Sequence, residues 1–98
     1  MSEMTYLRKQ AQDRPCMVRL PGICNHNKST TVLAHVRLPG ISGMGIKAND
    51  ILGAWACSAC HDAIDRRSHT DLDRDYVRLA HLEGMARTIN ELCKEGLL

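Results

Sequence analysis

The alternation of apolar and polar positions divides this 98-residue chain into three stretches. Residues 1–13 are mostly polar, a pattern that fits a short helix or a loose arm. Residues 15–40 read as extended, with a turn at Pro21-Gly22 and a strand over Thr30–Val36, where β-branched and apolar side chains concentrate. His35 lies on that strand. Pro39 to Lys47 holds three glycines and a proline and predicts a loop. After it, Asn49-Asp50 predicts a turn or short helix leading into the apolar run Ile51–Ala56. Cys57 to Arg67 predicts a knuckle that continues as a helix.

A longer C-terminal helix is expected over residues 70–95. Thr70 or Asp71 would cap it, with Thr70 and Asp73 placed like a capping box. Tyr76, Leu79, Met85, Ile89 and Leu92 recur at helical spacing and predict its buried face, with Leu82 and Cys93 nearby. Gly96 is a natural stop. Gly84 stands in the helix interior, where glycine costs about 1 kcal/mol relative to alanine. The pattern predicts one α+β domain over 1–98: an arm over 1–14, a core over 15–67 and the helix over 70–95.

Composition narrows this picture. A chain of this length buries only ~60–65% of its unfolded surface, so its apolar core is marginal. There is no Phe, one Trp (Trp55) and two Tyr (Tyr6, Tyr76), which makes a metal staple a useful source of stability. No run of about 18 apolar residues exists, so no membrane span is expected. Met1 to Asp13 lacks the apolar segment of a secretory signal, which predicts a cytoplasmic protein. In that reducing compartment five cysteines favour metal binding over disulfides.

The cysteines carry the strongest signal. Cys57 and Cys60 form a Cys-x-x-Cys that can place two thiolates on one tetrahedral zinc ion. Cys16 and Cys24 have seven residues between them, and a hairpin turning at Pro21-Gly22 would bring them to the same side. A site of all four thiolates, a site of three thiolates with His26, and a cluster of buried thiols without metal all fit this spacing. Cys93 reads as a small apolar residue on a helix face.

Net charge is +2 and unevenly spread. Residues 1–50 hold seven Lys/Arg and three Asp/Glu, whereas residues 51–98 hold six and eight. A basic half of this kind suits phosphate contacts as well as it suits an ordinary solvated surface.

The order of elements is informative: a cysteine pair, His35 on a strand, Asn49-Asp50, then Cys57-Ser58-Ala59-Cys60-His61 and a helix. This order resembles the HNH endonuclease family and its ββα-metal unit, most of all the prophage-encoded members. The resemblance runs over nearly the whole chain and is most specific in residues 16–67. It implies a small zinc-stabilised ββα-metal domain with an added C-terminal helix, hydrolysing DNA phosphodiester bonds. His35 would be the general base, and Asn49 or Asp50 would orient it. His61, with Asp50 as a further candidate, would hold a catalytic Mg or Mn ion separate from the structural zinc at Cys16, Cys24, Cys57 and Cys60. Lys47, Arg66 and Arg67 are candidate phosphate contacts, and His69 and His81 are expected at the surface.

One position departs from the pattern. The family often places Asp or His just before the general base as a metal ligand, and here that residue is Ala34. Asp50, Asp62, Asp65 and His69 are the candidate replacements, and Asp65 shares a helical face with His61. The competing expectation is an inactive zinc-stabilised module that binds DNA or a protein of a phage recombination or replication system.

Overall fold

The computed structural model describes residues 3–37 and 49–98. The predicted loop at Pro39–Lys47, with the candidate Lys47, lies outside them. Among the described residues the architecture is a small α+β fold with a two-stranded sheet and three α-helices. Strand β1 (Val32–His35) runs antiparallel to β2 (Gly53–Ala56), with Val32 opposite Ala56 and His35 opposite Gly53. Helix α1 spans Glu3–Gln10, α2 spans Ser58–Ile64 and α3 spans Arg74–Lys94. A single 3-10 turn at Lys28–Thr30 precedes β1, capped by the Asn27 side chain on the Ser29 amide.

Strand β2 is the centre of the molecule, and all four of its residues are buried. Three of its residues, Gly53, Ala54 and Ala56, are small, which lets α3 lie close across it. The residues that α3 buries are Val77, Ala80, His81, Gly84, Thr88 and Leu92. This differs from the expected face, because Tyr76 and Leu79 are exposed. The physical reason is that the helix approaches the sheet too closely for large side chains. An ideal Cβ on Gly84 would lie 2.9 Å from Val18 Cγ2 and 3.1 Å from the Met17 carbonyl oxygen. The segment at Met17-Val18 crosses the helix there, which accounts for the interior glycine.

The same crossing satisfies the free edge of β2. The Trp55 amide donates to Thr88 Oγ1 at 3.0 Å, Thr88 in turn donates to the Gly84 carbonyl at 2.8 Å, and the Met17 amide donates to the Trp55 carbonyl at 2.7 Å. Buried backbone polar groups require such partners. Arg87 adds a bond from Nη1 to the Met17 carbonyl at 2.7 Å.

Helix α3 starts at Arg74 with Asp73 as its cap, three residues beyond the expected cap at Thr70 and two beyond Asp71. Thr70 instead accepts the Leu72 amide and closes a turn within the α2–α3 connection. Helix α1 packs Leu7 and Ala11 with Met17, Trp55 and Leu92 in a second apolar cluster. Arg14 covers Trp55, its guanidinium 4.7 Å from the ring centre, while pairing with Glu95. Cys93, expected to be a packed residue, is exposed. Among the described residues, no helix is long and apolar enough to cross a membrane.

Candidate metal centre and histidine cavity

The two cysteine pairs converge. The sulfur atoms of Cys16, Cys24, Cys57 and Cys60 all lie within 4.8 Å of one another, and among the described residues no other group of three or more such side chains does so. Cys24 and Cys57 are 3.8 Å apart, which is about the edge of a sulfur tetrahedron drawn at the ~2.3 Å zinc–thiolate distance. This donor set could hold a metal ion.

Backbone geometry explains how a wide first pair matches a narrow second one. Arg19 and His26 adopt positive φ of 55° each and Gly22 one of 73°, so the chain turns sharply on both sides of Leu20-Pro21. The Ile23 and Cys24 amides both donate to the Leu20 carbonyl and close the hairpin. The Arg19 amide donates to Cys16 Sγ at 3.4 Å, and the Cys60 amide donates to Cys57 Sγ at the same distance. Cys57 thereby caps α2. His26 Nδ1 lies 3.7 Å from Cys24 Sγ but is not one of the clustered donors.

Electrostatics favour a cation at this place. The Cys60 thiol donates to Cys16, drawing the Cys16 thiol down to about 4. The same bond, together with burial, pushes Cys60 up. Burial also raises Cys24. Four clustered thiolates, three of them buried, repel one another and lose hydration, and a bound divalent ion offsets both costs.

A second constellation forms from other residues. His35, at the end of β1, is half-buried, and its Nε2 lies 2.5 Å from Oδ1 of Asp50. The Asp50 side chain is 1% exposed, with Arg8 Nε of α1 3.2 Å from its Oδ2. The imidazole bond is the better aligned of the two, because Oδ2 makes no hydrogen bond of good geometry. Asp50, a candidate cation ligand from the sequence, is thus committed to His35 and Arg8. Asn49, the other candidate orienting residue, does not face His35: its side chain accepts the Ile51 amide at 3.0 Å and shapes the turn.

His61 sits on α2 with its Nε2 3.2 Å from Asp65 Oδ2, on the shared face that the i, i+4 spacing predicts. Arg67 reaches back to Asp62 at 3.1 Å, to Asp65 at 3.5 Å and to His61 Nδ1 at 3.3 Å. It therefore braces the pair. Asp62 is spent on that brace. His69 is exposed and pairs with Asp71, as its surface assignment predicts.

His81, expected at the surface, is buried. From α3 its Nε2 donates to the Ala34 carbonyl at 2.9 Å, and burial holds its pKa below the ordinary histidine value. A neutral ring with Nε2–H leaves its lone pair on Nδ1. The signal for this residue was available: Val77, His81, Gly84 and Thr88 repeat at helical spacing, a face masked by the larger side chains of Tyr76 and Leu79.

His35, Asp65 and His81 line one cavity of about 170 Å³, together with Arg37 and Arg78. A metal-type cysteine cluster and a histidine–carboxylate cavity that share no residue define the class: a small α+β protein with a cysteine clamp that could hold a metal and a separate polar cavity. The chain belongs to the YbcO family, whose model, "Putative nuclease YbcO", matches residues 5–97. It is 53% identical over 95 residues to "Putative nuclease YbcO" of Escherichia coli strain K12, covering 97% of this chain and 98% of the relative. A protein of Enterobacteria phage 82 with the same description matches equally. Among solved structures, "Structure of a putative bacteriophage protein from Escherichia coli str. K-12 substr. MG1655" superposes with a TM-score of 0.77 at 48% identity, covering 93% of this chain and all of that one.

Proposed function

We propose that this protein is a metal-dependent endonuclease of the HNH type that hydrolyses DNA phosphodiester bonds. The observation that carries the reading is His35 held by the buried Asp50 and lining one cavity with Asp65. Nε2–H donates to the carboxylate, which leaves the Nδ1 lone pair to take a proton from an attacking water. Asp50 would fix the ring, the orienting role that the family gives to its middle residue, and its carboxylate would stabilise the imidazolium as it forms. The succession β1–β2–α2 matches what the ββα-metal unit implies. The nuclease description of the relatives agrees with the reading.

His61 Nε2 and Asp65 Oδ2 would hold a divalent cation, Mg or Mn, whose charge stabilises the leaving oxygen. The four cysteines would hold a structural zinc. Plasmid nicking with added Mg²⁺ or Mn²⁺ tests the proposal. Wild type should nick and His35→Ala should lose activity by about 10²-fold or more. Equal, background-level nicking by both proteins across several cations would end it.

A second reading is favoured by Ala34, whose only polar contribution near the cavity is the carbonyl bound by His81. With two donors from His61 and Asp65, the cation site is sparse, and a non-catalytic DNA-binding module of a phage system would keep the same fold. DNA binding without nicking would support that reading.

A further inference from the structure

A larger cleft, of about 680 Å³, opens beside the histidine cavity, between the end of α2 and the first turns of α3. Ile64 and Arg78 line both spaces, so the two are adjacent. Arg66, Arg67, Arg74 and Arg78 line the cleft, and no carboxylate does. The nearby acids are already engaged: Asp62 and Asp65 with Arg67, Asp71 with His69, and Asp73 with the Asp75 amide. Among the described residues, Arg66, Arg74 and Arg78 make no ion pair within 4.0 Å. Three exposed guanidinium groups in a cleft without a counter-charge form a surface that lacks its anion.

We infer that this cleft is a binding groove for a phosphodiester backbone, with Arg78 gripping a phosphate next to the histidine cavity and Arg74 and Arg66 gripping phosphates further along. The inference rests on the DNA-cleaving reading for its choice of polymer. Guanidinium groups match phosphate oxygens in a bidentate fork. The lining holds no Phe, Tyr or Trp, and its one aromatic ring is the exposed imidazole of His69, which pairs with Asp71. Contacts of this kind position a strand without reading its sequence.

The test is anisotropy with labelled 20-bp duplexes of two unrelated sequences, titrated with salt and without added divalent cation. Wild type should bind both alike, with affinity falling steeply as salt rises. The double variant Arg74→Gln/Arg78→Gln should bind about tenfold or more weakly, with its salt slope smaller by about two. Arg74→Lys/Arg78→Lys should recover part of the affinity, and Lys94→Gln, at the far end of α3, should change nothing. A double Gln variant that binds with wild-type affinity and slope would overturn the cleft and leave the nuclease reading standing. Wild type that binds neither duplex at low salt would overturn both.

Discussion

His81 Nε2 donates to the Ala34 carbonyl at 2.9 Å, tying helix α3 to strand β1 one residue before His35. The bond fixes the end of the strand that presents the candidate base. It needs only a neutral imidazole, and burial keeps the ring neutral by lowering its pKa.

A pH dependence follows. The folded pKa is below the unfolded one, so this contribution to stability is fully present above about pH 6.5. It is lost as pH falls from there toward the folded value, because the unfolded chain takes up a proton that the fold resists. The slope from one such group is at most about 1.4 kcal/mol per pH unit. His81→Gln keeps an N–H donor for Ala34 and removes the titration. Urea midpoints between pH 7.5 and 5 should depend less on pH in the variant, and parallel profiles would exclude His81 as the source.

Asp50→Asn separates orientation from folding. The amide still fills the buried space but can present N–H to His35 Nε2, favouring the wrong tautomer. Nicking should fall about 10²-fold or more in kcat, while DNA affinity stays close to wild type. An unchanged kcat would show that the His35–Asp50 contact is structural only.

Metal removal should unfold the cysteine clamp. The protein as purified should contain about one tightly bound zinc per chain. Cys57→Ser or strong chelation should lower Tm by more than about 10 °C or abolish the transition, because metal binding of this type is coupled to ~10–16 kcal/mol of folding energy. A folded, reduced protein without zinc by elemental analysis would refute the assignment.

Gly84→Ala should destabilise despite the higher helix propensity of alanine. The gain is about 1 kcal/mol. Against it stands a Cβ 2.9 Å from Val18 Cγ2 and 3.1 Å from both the Met17 carbonyl oxygen and Val18 Cα. Overpacking of this kind costs about 1–3 kcal/mol, and backbone atoms give way least. Thermal denaturation should show a lowered Tm, and a raised one would mean that the Met17-Val18 crossing can shift freely.

Local chemistry was legible without coordinates. Cys-x-x-Cys places two sulfurs by its spacing alone, and Pro21-Gly22 closes the hairpin that delivers Cys24. His61 and Asp65 share a face because an α-helix repeats every 3.6 residues. The α+β class and the helix after Cys57 follow from the same short-range rules. The tertiary structure decided what depends on contacts between distant segments. Asp50 rather than Asn49 meets His35 because strand pairing brings residue 50 back across β1, with Arg8 arriving from α1. His81 is buried because α3 presents its small residues to β2 at the Met17-Val18 crossing, a close approach that hydrophobicity along one helix does not encode. Periodicity ranks side chains by their affinity for water, whereas packing selects them by the space that the partner segment leaves.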